Sequence, residues 1–356
     1  MKSLSLVMIV KNEESNLRRC LESVKDIVNE IVIVDTGSTD KTKEIALEFN
    51  AQIFDYKWDN DFSKARNFAL SNSNSDWNLI LDADEYIANI DLDSIRYFIS
   101  YNDSTIGQVK IVSSFEQDGE IKNSESFISR LTPKGVWFEG AIHEQLKSDF
   151  PRKIVDIILE HNGYLNTNKF DRNISILLDE LKIKPNDSYL LYQTARTYYV
   201  NKMYSEASTY FNSFYNCFSP DTEEFVADGL ITYIYTLIKT NEFEKGLEII
   251  NDNFDLLKNS SDFYFVCGVF FTELVSSNPE KYINYFENIE LSYLGALEIG
   301  NSFSYNSVQG TGSYLAAFNL GLFYELINNK DNAIMYYELS AKYNYKRALE
   351  ALNRFK

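Results

Sequence analysis

The chain has 356 residues, 45% of them hydrophobic, and a formal net charge of −18 from 52 acidic against 34 basic side chains. That length allows two or three domains with a sizeable core, and the composition excludes a disordered chain. The acidic balance argues against nucleic acid and against an anionic membrane surface as partners, because both recruit Lys and Arg.

The N-terminal stretch MKSLSLVMIVKNEE meets acidic residues after one short apolar run, so it reads as a strand rather than a signal peptide. LSLVMIV (4–10) is continuous and apolar, as for a strand buried on both faces. NLRRCLESVKDI follows with Leu17, Leu21 and Val24 at helical spacing. EIVIVD (30–35) is a second strand, and GSTDKTKEIALEF opens with capping residues and continues as a helix. AQIFDY is a third strand, DFSKARNFALSNS a third helix, and WNLILDAD (77–84) a fourth strand. This alternation predicts a Rossmann-like α/β domain with a mostly parallel sheet and helices on both faces. Residues 106–140 read as short antiparallel strands around a QDGE turn.

After HNGYLNTNKF (161–170) the strand signals fade and tyrosine-rich helical segments take over. Ala195, Tyr198, Ala207 and Phe211 fall at the offsets of a tetratricopeptide helix–turn–helix repeat. Leu320, Gly321, Tyr324, Ala333 and Tyr337 form a clearer copy, and weaker ones start near Ala227 and Ser261. The expected division is 1–165 for the α/β domain and 166–356 for an all-α tetratricopeptide-like domain. Stacked helix pairs offer a concave surface for a protein or peptide, and also a surface through which two copies could form a homodimer. The cysteines Cys20, Cys217 and Cys267 lie far apart, with no disulfide framework and no zinc-ligand spacing, which suits the cytoplasm. No stretch approaches the length of a transmembrane helix.

Parallel α/β sheets bind ligands past the carboxyl ends of their strands. Those ends carry KNEE (11–14), DTGSTD (35–40), DYKWDNDF (55–62) and DADE (82–85). Asp82 and Asp84 are two apart, so a regular strand would point both to one side. Such a pair makes either a capping turn or a seat for Mn2+ or Mg2+, which favour carboxylates together with phosphate and water.

MIVKNEE, EIVIVDTGSTDKT, Trp58 with DFSKARN, WNLILDADE and WFEGAIHE occur in order over roughly residues 4–146. Together they resemble glycosyltransferase family 2, and within it the branch containing peptide S-glycosyltransferases of bacteriocin pathways. The resemblance implies a GT-A fold that uses a UDP-sugar and a divalent cation. By that resemblance Asp84 is a metal ligand, and Asp82 holds the ribose or shares the metal. Asp35 would contact uracil or ribose, Val10 would line the base pocket through its backbone, and Asn12 would belong to the same loop. Arg66 of KARN would lie near the nucleotide, and His143 would complete the metal shell. Glu144 is then the candidate general base, with Asp149, Glu139 and Glu85 as rivals.

The expected activity is metal-dependent inverting transfer of a hexose to an acceptor, a peptide or protein Cys or Ser/Thr side chain. The alternatives are a saccharide or glycolipid acceptor, a nucleotidyltransferase, and a helical scaffold with a decayed transferase domain. There is no QxxRW motif, against a processive synthase, and no Gly-rich phosphate loop with Lys-Ser/Thr.

Overall fold

A computed structural model of the chain describes residues 2–117, 120–161, 170–219, 225–301 and 308–355. It divides into two units, Met1–Glu180 and Leu181–Lys356. The dividing point falls inside helix α5 (Phe170–Ile183), while the expected boundary at 165/166 lies outside the described residues.

The first unit is built on an eight-stranded mixed sheet. Its strands are β1 (Leu4–Val10), β2 (Glu30–Asp35), β3 (Gln52–Asp55), β4 (Trp77–Ile80), β5 (Glu85–Ile90), β6 (Ile106–Gln117), β7 (Glu120–Pro133) and β10 (Arg152–His161). The spatial order is β3-β2-β1-β4-β7-β6-β10-β5. Strands β3, β2, β1 and β4 are mutually parallel, as the apolar runs predict. Beyond β4 the sheet turns mixed: β7 is antiparallel to β4 and β6, while β10 runs parallel to β6 and antiparallel to β5. A short ribbon, β8 (Trp137–Glu139) with β9 (Gln145–Lys147), stands apart from the sheet.

Alternation along β1 shows how the faces are filled. Leu4, Leu6, Met8 and Val10 join one core with α1 (Leu17–Val24), α2 (Thr42–Glu48) and α4 (Leu92–Tyr101), while Val7 joins the other with α3 (Phe62–Ser71) and the ribbon.

Several expectations change. Strand β4 ends at Ile80, so Asp82 and Asp84 lie in a turn and not along a strand. That turn is closed from both sides: Glu85 N–H donates to Asp82 O at 3.0 Å, and Asp82 N–H to Glu85 Oε2 at 2.9 Å. The strands after residue 106 are long, 12 and 14 residues, and the centre of the QDGE turn lies outside the described residues. Strands β5 and β10 and helix α4 were not foreseen. Helix α4 has a readable start, since Asp91 Oδ1 accepts from the amides of Asp93 and Ser94.

The second unit is a succession of helices: α6 (Ser188–Val200), α7 (Tyr204–Tyr215), α8 (Val226–Thr240), α9 (Phe243–Asp252), α10 (Phe254–Leu257), α11 (Ser261–Ser277), α12 (Pro279–Tyr282), α13 (Phe286–Ile299), α14 (Tyr314–Leu326), α15 (Lys330–Ala341) and α16 (Lys346–Asn353). They pack as tetratricopeptide-like pairs, α6 with α7, α8 with α9, α11 with α13 and α14 with α15, and successive pairs stack through α7–α8, α8–α11 and α13–α14. The repeat residues Ala195, Ala207, Phe211, Leu320, Ala333 and Tyr337 are all fully buried.

Candidate active site at the strand ends

The loops after β1 and β2 are sewn together by their own polar residues. Asn12 adopts a left-handed backbone (φ 57°), its side-chain Oδ1 accepts from Thr39 N–H at 2.8 Å, and its backbone N–H donates to Ser38 Oγ at 2.9 Å. Glu14 N–H reaches Asp40 Oδ2 at 3.1 Å. Val10 buries its side chain in the core, and its carbonyl accepts from Thr36 N and Oγ1 at 2.9 and 3.0 Å. Asp35 is 1% exposed. Its Oδ1 accepts from the amides of Gly37 and Ser38 at 2.9 and 2.8 Å, with Lys43 Nζ at 3.7 Å, while Oδ2 is buried without a hydrogen-bond partner.

Helix α3 organises the other side of the site. Asp61 caps it, accepting from Lys64 N–H at 3.0 Å. Asn67 clasps the backbone of Phe138 in β8, donating to its carbonyl at 2.9 Å and accepting from its amide at 2.8 Å. Phe62 N–H donates to Ala141 O at 2.8 Å. DFSKARN therefore holds WFEGAIHE in place. Between β8 and β9 the chain turns through left-handed Gly140 (φ 94°) and His143 (φ 51°), which brings Glu144 inward.

Arg66 projects from α3 into this space, 7% exposed, over the ring of Phe138 at 5.6 Å. Its Nη2 donates to Asp82 Oδ1 at 2.7 Å and its Nε to Glu144 Oε1, while Nη1 is buried without a hydrogen-bond partner. Arg130, from β7, places Nη2 on Asp82 Oδ2 at 2.9 Å and on Glu85 Oε1. Desolvation opposes the Asp82 charge, yet the two arginines outweigh it and hold this carboxyl far below its ordinary range. Burial likewise works against Arg66, but Asp82 and Glu144 push its pKa up. For Glu85 burial wins over Arg130, and its pKa is raised.

Asp84 faces elsewhere: its Oδ2 is 3.4 Å from His161 Nε2, and His161 Nδ1 is 3.4 Å from Ser113 Oγ. Burial lowers the His161 pKa, but the bond to Asp84 prevails and raises it above the ordinary histidine value. Among the described residues no group of three or more His, Cys, Asp or Glu is arranged to hold a metal ion, so Asp82, Asp84 and His143 do not stand as one ligand set. Asp84 and His161 fit a smaller one. Two ligands at right angles about a small cation stand roughly 3 Å apart, and Mg2+ commonly takes few protein ligands, completing its shell with phosphate and water.

The structure places the expected site residues Arg66, Asp82 and Glu144 in contact, and adds Arg130 and His161, to which sequence reasoning assigned no role. A charged residue between Ile128 and Leu131, both of which pack in the core, was the available signal for Arg130.

A mixed sheet with ionic residues gathered past its strand ends, followed by tetratricopeptide-like helices, is the architecture of a GT-A domain joined to a helical repeat. Residues 5–162 match the family Glycosyl transferase family 2. A TPR repeat-containing protein of Synechococcus elongatus is 51% identical over 85 residues, covering 24% of this chain and 21% of its own length. The SPbeta prophage-derived glycosyltransferase SunS of Bacillus subtilis is 29% identical over 264 residues, covering 66% of this chain and 59% of its own length. The chain thus spans 21% and 59% of these curated relatives. Among solved structures, a crystal structure of MamA aligns with 50% of this chain and 91% of its own at 18% identity and a TM-score of 0.39.

Proposed function

We propose that the chain is a metal-dependent, inverting glycosyltransferase that moves a hexose from a UDP-sugar to a peptide or protein Cys or Ser/Thr side chain. The observation that carries this reading is Arg66, which joins Asp82 of the DAD turn to Glu144 of the HE turn inside the segment that matches family 2. One guanidinium thus ties a donor-side carboxylate to an acceptor-side one.

The unpartnered Asp35 Oδ2 supports nucleotide recognition, since it can accept from the imide N–H of uracil or from a ribose hydroxyl. Val10 and the Asn12-braced loop would wall that pocket. Asp84 and His161 would hold Mn2+ or Mg2+, which supplies charge neutralisation for the departing diphosphate. Glu144 takes the proton of the acceptor thiol or hydroxyl as that atom attacks the anomeric carbon. The new bond forms on the face opposite the breaking C–O bond, whose electron pair leaves with UDP, so the configuration inverts. The helical unit would present the acceptor or pair two copies. Among the described residues no helix is long and apolar enough to cross a membrane, and the three free cysteines suit a reducing cytoplasm.

Calorimetry tests the donor side. UDP should bind more tightly with Mn2+ or Mg2+ than with EDTA, and equal affinity in both would overturn the metal reading. Donor hydrolysis across UDP-sugars, then mass spectrometry of Cys and Ser peptides, identifies sugar and acceptor atom. Absence of hydrolysis with every donor would favour the scaffold alternative.

A further inference from the structure

We propose that Arg130 is a positioning residue for the donor: with Arg66 it brackets Asp82, one arginine on each carboxylate oxygen, and fixes that carboxylate as a hydrogen-bond acceptor for the nucleotide. This role rests on the donor-site reading above. Asp82 stands in a turn, where no strand ladder orients its side chain, and it retains 36% exposure. Arg66 on Oδ1 and Arg130 on Oδ2 supply that orientation from two different elements. Both arginine side chains are nearly buried, 9% and 12% exposed, a placement that arginine takes only when paired. With a guanidinium on each oxygen, both Asp82 oxygens are already oriented, and their remaining lone pairs are set to accept from a hydroxyl or N–H of the nucleotide.

The two brackets differ chemically. Arg66 uses two nitrogens of its planar fork, Nε for Glu144 and Nη2 for Asp82. Arg130 uses the single nitrogen Nη2 for both Asp82 and Glu85. A lysine ammonium carries three protons on one nitrogen and can repeat the second arrangement, but not the first. Arg130→Lys should therefore keep the bracket, and Arg66→Lys should lose it.

The test measures UDP affinity by calorimetry with Mn2+, together with KM and kcat for hydrolysis of the UDP-sugar that the wild type uses best. Circular dichroism checks folding. Arg130→Met should raise the UDP Kd and the donor KM together, roughly tenfold to a hundredfold, with kcat changed less. Arg130→Lys should stay close to wild type, and Arg66→Lys should resemble Arg130→Met. A merely structural arginine would change melting temperature without this split between KM and kcat. Should Arg130→Met fail to fold, the lysine pair decides: Arg130→Lys binding UDP as poorly as Arg66→Lys overturns the role. Wild-type affinity in a folded Arg130→Met overturns this role alone, whereas a wild type that binds no UDP overturns the donor reading and this role with it.

Discussion

Glu144 touches Arg66 through Oε1 and keeps only 10% of its side chain exposed. Glu144→Gln keeps the shape and removes the proposed base. On a hydroxyl acceptor kcat should fall about 10²–10⁴-fold while UDP affinity, measured by calorimetry, changes little. A thiol is already a few per cent thiolate at neutral pH, so the loss should be smaller on a Cys peptide. Full activity on a Ser peptide would move the role to Asp149 or Glu85. A second comparison concerns the two histidines. His161→Ala should remove most of the gain in UDP affinity that Mn2+ brings, roughly tenfold or more, and His143→Ala should remove less. The reverse order would restore His143 as the ligand. Sequence order favoured His143, because it sits in the HE motif beside the candidate base. What it could not reveal is the pairing of β10 with β5, which sets His161 opposite Glu85 and so beside the DADE turn. Arg130 was hidden for a similar reason: β7 pairs with β4, through Leu131 and Leu79, and carries Arg130 to the end of β4 at Ile80. Local motifs were legible, whereas residues delivered by long-range strand pairing were not.

At the scale of elements, the parallel half of the sheet was readable because its strands are continuous apolar runs. Strand β5 lacks a period-two pattern and could not be separated from loop, whereas β10 alternates buried Val155, Ile157 and Leu159 with more exposed neighbours, a strand signal that the sequence did carry. The helix pairs were readable because they use small residues against aromatic ones. Gly321 of α14 is such a point: a Cβ built there would meet Tyr337 Cδ1 at 2.5 Å, and Tyr337 is fully buried with its hydroxyl on Glu325 at 2.5 Å. Alanine gains about 1 kcal/mol of helix propensity, but overpacking costs about 1–3 kcal/mol. Gly321→Ala should therefore lower the thermal midpoint, and an unchanged or higher midpoint would mean that the tyrosine yields. At the head of α11, Asp262 accepts from Thr311 Oγ1 at 2.6 Å and from Val308 N–H at 3.3 Å. Burial outweighs these bonds and lifts its pKa to about 6 from 3.8. The folded state then holds a proton that the unfolded state has released between about pH 4 and 6, so this residue's contribution to stability falls as pH rises through that window. Asp262→Asn should match wild type near pH 4 and exceed it by up to about 2–3 kcal/mol at pH 7. Chemical denaturation at the two pH values checks this, and a gap independent of pH would refute it.

At the scale of the whole chain, the question is which residues the donor needs and which the acceptor needs. The family 2 match ends at residue 162, and the contact division comes later, after Glu180. Helix α5 lies across that difference, and its first turns belong with the α/β unit. Arg172 places its guanidinium 5.0 Å over the ring of Phe62, the residue whose amide holds Ala141 in the turn leading to Glu144. Partial burial lowers the Arg172 pKa, although the residue stays exposed to solvent. A chain cut at residue 165 would lose that ring contact, whereas one cut after Ile183 would keep it. The longer truncation should therefore fold, bind UDP with Mn2+ at the affinity of the intact chain, and hydrolyse the donor with water as acceptor. It should lose transfer to peptide, because the helix pairs that would present the acceptor are gone. Calorimetry reads the first half of this expectation and mass spectrometry of the peptide reads the second. Unchanged peptide kinetics in the truncated protein would detach the helical unit from acceptor binding and leave pairing of two copies as its proposed role. Lost UDP binding in a folded truncation would instead show that the donor site draws on residues beyond Ile183.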